Sequence, residues 1–407
     1  MYTVVSGQPN KLSTYLTLPK IISVLFIIIC AVWLSIAYSV QQGLLLLVGA
    51  ALGITLYHAS FGFTSAWRVF IADGRGRGLR VQMLMLAIAV LLFFPTLSVG
   101  EIFGHPVNGS IAPLSLSVII GAFMFGIGMQ LAGGCASGVL FTLGGGNARM
   151  LLVLAFFVIG GLVSTAHASF WSSMPALPPV SLVKSLGAPL GIVVSLCLFA
   201  AITALTIVIE KRRHGSLEQE KPTDHHGFQR FFRGPWPLIW GGVALAILNY
   251  ITLIISGKPW SIAGAFPIWG AKIGRIIGFD VSGWAFWQNA ANAKNLDASV
   301  FSNITSVMDF GIIAGAMLAA ALAGRFAFNF RVPLGSAIAA IIGGLLLGYG
   351  ARVGFGCNIG AYFSGISSGS LHGWLWVASA FFGNALGVYL RPIFFGKAQS
   401  TVKLTSC

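Results

Sequence analysis

Acidic residues are nearly missing from this chain: there are nine Asp and Glu in 407 positions, and only 8% of all residues carry a charge. Soluble domains carry about a quarter charged residues, so a soluble protein is excluded. The shortage is one-sided, because 24 Lys and Arg leave a net charge of +15. In a soluble chain that excess would suggest nucleic acid. In a membrane chain it marks cytoplasmic loops, and nucleic acid is not an expected partner. Cysteine is also sparse. Cys30, Cys135, Cys197, Cys357 and Cys407 form no CxxC and no Cys/His metal spacing, which speaks against a disulfide scaffold or a zinc site. The sequence has no GxxxxGK[ST], so ATP hydrolysis is not indicated. No cofactor, metal or catalytic residue is expected.

Apolar residues make up 57% of the chain. A spanning helix needs about 20 of them in a row, and uncharged runs of that kind occur at 21–40, 43–67, 81–100, 111–131, 150–171, 187–209, 237–255, 302–323, 332–351 and 373–390. The first run is too long for a signal-peptide core and no small-residue cleavage site follows it, so it reads as a retained span. The expected fold is an all-α polytopic membrane protein with about ten transmembrane helices. Its expected parts are a tail with the first span (1–42), a first repeat with its following span (43–209), a basic cytoplasmic linker (210–236), a second repeat (237–392) and a C-terminal tail (393–407).

Lys and Arg flanking spans are retained in the cytoplasm. With the N-terminus inside, the inner segments hold Lys11, Lys20, Arg68, Arg75, Arg77, Arg80, Arg149, Lys211, Arg212, Arg213, Lys221, Arg230 and Arg233, then Arg325, Arg331, Arg391, Lys397 and Lys403. Both termini are then cytoplasmic. The exception is 258–301, with Lys258, Lys272, Arg275 and Lys294, where Pro259, Gly264, Pro267, Gly270 and Gly274 interrupt the apolar residues. This stretch reads as an external or re-entrant insertion.

One shift of the sequence on itself places Ile119, Ile120, Gly121, Gly126, Gly128, Gly134, Cys135, Gly138 and Phe141 on Ile341, Ile342, Gly343, Gly348, Gly350, Gly356, Cys357, Gly360 and Phe363. A second, smaller shift matches Gly49, Ala51, Leu52, Ile54 and Tyr57 to Gly242, Ala244, Leu245, Ile247 and Tyr250. The charge pattern sends matched spans in opposite directions. Such inverted repeats are a common transporter plan, with the substrate site at the repeat interface near mid-membrane.

Each repeat has a glycine-dense stretch at its cysteine: Gly126, Gly128, Gly133, Gly134, Cys135 and Gly138, then Gly348, Gly350, Gly354, Gly356, Cys357, Asn358 and Gly360. Glycine weakens a helix and lets backbone approach a ligand. A discontinuous helix is expected in each repeat, with short second pieces over about 136–146 and 358–369. The start of such a piece offers unpaired N–H groups suited to an anion. The bland alternative is close helix packing. A thiol is a weak, polarizable donor and acceptor, and two of them, one per repeat, would make stepwise stations for a sulfur- or selenium-bearing anion. Cys30 and Cys197, among aliphatic residues, read as small buried hydrophobes.

The motifs Gly133-Gly134-Cys135-Ala136-Ser137-Gly138 and Gly354-Phe355-Gly356-Cys357-Asn358-Ile359-Gly360-Ala361-Tyr362-Phe363 resemble those of the YeeE/YedE family of sulfur-compound transporters, over about residues 43–392. The resemblance implies import of a small inorganic sulfur-containing anion such as thiosulfate across a bacterial inner membrane, with Cys135 and Cys357 lining the path. A cytoplasmic small thiol carrier protein or sulfurtransferase would be a fitting partner beside the lipid bilayer. The family's first motif cysteine is absent, its stretch reading Phe61-Gly62-Phe63 here, which admits a related sulfur or selenium species. Other candidates are Gln130 and Arg352, each five residues before its cysteine, and His58. An intramembrane Arg is costly unless paired or lining a polar cavity, although Arg352 could also anchor loose helix-end carbonyls. His58 reads either as an aid to a proton step or as a packing residue. Asn249 and Asn384 read as interhelical hydrogen-bonding groups, and His167 and Asp309 as exposed residues near outer span ends. The competing function is a membrane thiol oxidoreductase that uses the two cysteines as a dithiol; a neutral-solute channel is disfavoured by Arg352 and the thiols.

Overall fold

The computed structural model describes residues 9–220, 227–328 and 330–400, apart from the side chains of 9–17 and 397–400. Lys221, His225, His226, Lys403 and Cys407 lie outside the described residues, as do the side chains of Lys11 and Lys397. In lipid every backbone polar group must be satisfied within the chain, and the described chain meets this almost wholly with helix. The first half holds α1 (Pro9–Ala37), α2 (Val40–His58), α3 (Phe63–Asp73), α4 (Arg77–Val99), α5 (Leu116–Ala132), α6 (Ala136–Gly144), α7 (Ala148–Ala166), α8 (Ala168–Ser172) and α9 (Leu182–His214). The second holds α10 (Gly227–Arg233), α11 (Leu238–Ser256), α12 (Phe266–Ile276), α13 (Ala285–Gln288), α14 (Ala290–Asp297), α15 (Ile304–Leu322), α16 (Leu334–Val353), a π-helical turn (Asn358–Phe363), α17 (Ser364–Ser367) and α18 (Leu371–Ser400). Among the described residues, ten helical stretches are long and apolar enough to cross a membrane.

Side-chain caps start several of these helices, as Ser39 does for α2, Ser115 for α5 and Asn303 for α15, each accepting from a first-turn N–H. Small residues decide the packing. Gly49 and Gly53 of α2 lie against the backbone of Met308 and Ile312 of α15, and Gly311 and Gly315 return the contact to Leu46 and Ala50. The register rises together along both helices, so α2 and α15 run parallel. In the α5–α16 contact Gly121 faces Gly350 and Gly354 while Gly128 faces Gly343 and Leu347, so these repeat-related helices run antiparallel. Close backbone approach through glycine is the usual device of membrane helix contacts.

Pseudo-two-fold symmetry shows in the pairing of elements. The α2–α15 contact has its mate in α11–α4, α7–α16 in α18–α5, α6–α15 in α17–α4, and α12–α7 in α3–α18, while α2–α11 and α5–α16 cross the axis. The peripheral α1 and α9 expose most of their apolar surface. Three sequence expectations change here. The run 43–67 is interrupted: α2 stops at His58 and α3 begins at Phe63. Gly126, Gly128, Gly348 and Gly350 lie within continuous helix and serve contacts, so the breaks start only at Gly133 and Gly354. Cys197 is exposed on the outer side of α9 rather than buried, because α9 packs along one side only, chiefly on α4.

Candidate functional site

The two helix breaks are built differently. In the first, Gly133 takes a left-handed conformation (φ 80°) that ends α5, and Cys135 then lies in extended backbone as the residue capping α6. In the second, Phe355 (φ 58°) and Gly356 (φ 148°) turn the chain, and Cys357 lies in extended backbone ahead of the π-helical turn. A side chain at Gly356 would press on the Gly360–Ala361 backbone, so only glycine closes this turn.

Both thiols are free and buried, 2% and 1% exposed. The N–H groups of Ser137 and Gly138 face the Cys135 sulfur, and the Ser137 hydroxyl is 3.3 Å from it. The N–H groups of Ile359, Gly360 and Ala263 face the Cys357 sulfur. Backbone N–H groups thus lie beside each thiol, and grouped backbone N–H donors can bind anions. The short pieces meet, α6 packing on the π-helical turn, and the two sulfurs are within electrostatic reach of each other. Asn358 is fully buried, with neither its amide oxygen nor its nitrogen hydrogen-bonded. The Gly360 carbonyl accepts from the Ser110 hydroxyl.

Cys135 opens into a cavity of about 430 Å³ on the face that carries α10. Gly134, Gly138, His58 and Gly62 line it too, together with Arg68, Arg233 and Arg325. His58 is buried, with Nε2 unpartnered and its ring beside Trp236. Among the described residues no carboxylate lines this cavity, and Arg68, Arg233 and Arg325 make its lining basic. The position of the absent motif cysteine, Gly62, faces the same space. Its backbone is ordinary extended chain (φ −108°), and the atoms nearest to a side chain placed there belong to Ser65, its hydroxyl first.

Arg352 lies elsewhere, as an inverted repeat demands. It lines a pocket of about 340 Å³ with Ser117, Ser164, Ser169, Ser172, Asn289 and Asn292, its guanidinium 4.3 Å from the centre of the Phe286 ring. Helix-end anchoring falls instead to Arg149, which donates to the Leu131 and Ala132 carbonyls, and to Arg391, which donates to Gln130. Gln130 is fully buried between helices. Its amide donates to Asn384 at 2.7 Å and to the Thr64 carbonyl. Asn249 likewise ties Trp260 to Ser364. His167 is exposed at the end of α7, next to the Tyr349 hydroxyl. Asp309 departs from expectation: it is 0% exposed, because α15 is packed on several sides, by α1, α2 and α6.

The structure thus gathers His58, Gly134, Cys135 and Gly138 at one cavity and Gly356, Asn358 and Gly360 around Cys357, and it sets Gln130 and Arg352 apart from both. In the sequence Arg68, Arg233 and Arg325 read as topology markers only. The nearness of Arg68 to Phe61-Gly62-Phe63 was the available signal of more.

The sequence pattern of the Sulphur transport family matches residues 58–386, a stretch that includes both cysteine motifs. The chain belongs to that family. It is 29% identical over 350 residues to the thiosulfate transporter TsuA of Spirochaeta thermophila, covering 83% of this chain and 94% of that one. The TsuA of Escherichia coli is 22% identical over 364 residues, covering 85% and 94%. The probable transporter YedE of Escherichia coli is 30% identical over 171 residues, 42% of this chain and 41% of its own. Family membership and ten candidate spans make this a multi-pass membrane protein of sulfur-compound transport.

Proposed function

We propose that this protein imports a small sulfur-containing anion such as thiosulfate across the bacterial inner membrane, along a path lined by Cys135 and Cys357. The observation that carries this reading is the equivalence of the two thiols. Each is buried at the start of a short helical piece, and each is faced by backbone N–H groups. A soft thiol and fixed N–H donors recognise a polarizable sulfur anion without a full countercharge, and conduction requires binding weak enough to release. Arg68, Arg233 and Arg325 at the cavity would hold the anion's local concentration up electrostatically, and Arg352 would do so at the opposite pocket. Gly134, Gly138, Gly356 and Gly360 keep side chains away from the backbone donors, Asn358 offers an unused amide, and His58 adds a polar group to the inner wall. Gln130 supports the path from behind by joining α5, α18 and α3.

In this reading the α10 face is cytoplasmic, as are both termini, and residues 43–209 and 237–392 are the two functional repeats. Cargo leaving the Arg-lined cavity would pass to a cytoplasmic small thiol carrier protein or sulfurtransferase. Gly62 in place of the motif cysteine removes one soft station, so a related sulfur or selenium oxyanion is the alternative cargo. The test is uptake of labelled thiosulfate in cells without their own importers, with sulfate, sulfite and selenium oxyanions as competitors. Cys135→Ser and Cys357→Ser should each lower uptake at least about tenfold while the protein inserts normally, about 1.4 kcal/mol or more of lost stabilisation. Wild-type rates in both variants would remove the thiols from the path. The nearness of the two sulfurs gives the redox reading its own signature: a Cys135–Cys357 disulfide, caught by acid quench, whose amount rises with substrate.

A further inference from the structure

We propose that Asp309 is a proton-binding site that couples anion entry to the entry of protons, an inference that rests on the anion path just described. Two acidic residues are fully buried among those described, Glu210 and Asp309. Glu210 is saturated: it accepts from Arg75, from Arg80 at 2.6 Å, and from the N–H groups of Gly76 and Glu218. Asp309 is its opposite, with both carboxylate oxygens buried and neither hydrogen-bonded.

Among the described residues none of the cations on the elements packed on α15 is paired with Asp309. α12, whose Trp269 donates to Ser306 and stacks on Phe310, carries Lys272, taken up by the Leu296 and Ala298 carbonyls, and Arg275, paired with Asp280 and Asp297. On α2, Gly49 sits at the level of Met308, and the titratable groups Tyr57 and His58 follow more than two turns further on, about 12 Å along the axis at 1.5 Å per residue. On α6 there is no titratable side chain. On α1 the described titratable side chains are Lys20 and Cys30, and the 300–302 turn has none. Arg230 and Arg233 of α10 belong to the segment that reaches His58 through Gly234 and Trp236, again at the far end of α2. A charge so placed is expensive, whereas the neutral acid is far less so. Membrane-embedded carboxylates kept at this cost are the usual carriers of protons in transporters.

Position links the group to the path. One and two turns beyond Asp309, Ile313 and Ala316 contact Gly144 at the end of α6, the short helix that begins at Cys135. A change in the charge of Asp309 therefore acts on the helix that carries the thiol. The inside-negative potential opposes entry of an anion. A proton taken up by Asp309 from the face where α15 begins, and released toward the Arg-lined cavity, offsets one negative charge per cycle, with no bond made or broken but O–H.

The test uses the full chain in proteoliposomes at clamped potential, with labelled thiosulfate as the probe. Counterflow with no gradient measures the path. Accumulation driven by an acid-outside gradient measures coupling and should rise about tenfold per pH unit for each proton carried. Asp309→Asn keeps the volume and stays neutral, so it should insert and melt like the wild type, retain counterflow within about twofold, and lose the gradient-driven accumulation and the thiosulfate-dependent proton uptake seen by an entrapped pH dye. Asp309→Glu should keep both, with a shifted pH profile. Gradient-driven accumulation persisting in Asp309→Asn, wild-type accumulation that follows sodium rather than pH, or loss of counterflow in a well-folded Asp309→Asn would each overturn the proposal. Wild-type protein without any thiosulfate counterflow would refute the path reading and take this inference with it, a result distinct from the other three.

Discussion

At the residue scale, the chemistry of the site comes from side chains that the fold leaves incompletely satisfied. Asn358 and the His58 Nε2 atom are buried without partners, a state that costs about 1–3 kcal/mol per group. Among the described residues Arg352 lies over the face of Phe286 and joins no salt bridge. In the proposed path its guanidinium donors bind the anion in the Ser- and Asn-lined pocket. Arg352→Gln should raise the thiosulfate concentration needed for half-maximal uptake about tenfold, equivalent to about 1.4 kcal/mol of binding, with melting unchanged. Arg352→Lys should recover only part of this, since a point charge replaces a planar fork. A melting loss with normal uptake would instead assign Arg352 to packing on Phe286.

At the scale of elements, the breaks after α5 and α16 and the clamp at the end of α9 do opposite things. In the proposed path the breaks present backbone donors to the anion, while the clamp consumes every acceptor position it has. Glu210 holds the α3–α4 turn against α9 through Arg75, Arg80 and the Gly76 N–H. Glu210→Gln takes the countercharge from Arg80 and leaves Arg75 with the Ser216 carbonyl; both arginines are partly shielded from water, and the change should destabilise the protein by about 3 kcal/mol. Thermal unfolding in detergent should show this as a drop of several degrees. Because the clamp lies away from both thiols, the thiosulfate affinity of the folded fraction should not change. A variant that melts like the wild type would show that water already satisfies these arginines.

At the scale of the whole molecule, the antiparallel α5–α16 contact and the mated pairs around it put the two cysteine segments in repeat-related positions. The two cavities lie at opposite ends of α5, the Cys135 cavity at its end and toward α10, and the Arg352 pocket at its start. A reporter fused in the 210–236 linker should be cytoplasmic, and one near Glu101 or Lys184 external, as accessibility labelling of single cysteines at these sites would confirm. Linker and Glu101 reporters on the same side would contradict the two-fold arrangement itself.

Span number, the inverted repeat and the helix breaks at Cys135 and Cys357 were legible in the sequence. Each depends on a local property: the length of an apolar run, the self-match of motifs, or the inability of a glycine cluster to hold a helix. Partnership was not legible, because it depends on residues far apart in the chain. Sequence position puts Asp309 six residues into its span, and only the packing of α15 among its neighbours decides that water cannot reach it. Gln130 and Arg352 match in the self-alignment, yet one meets Asn384 and the other Phe286, since a repeat fixes backbone more closely than it fixes side-chain surroundings. The basic residues followed the same rule. Their number set the topology, and tertiary structure alone decided that Arg149 and Arg391 close the end of α5 while Arg68, Arg233 and Arg325 face an open cavity.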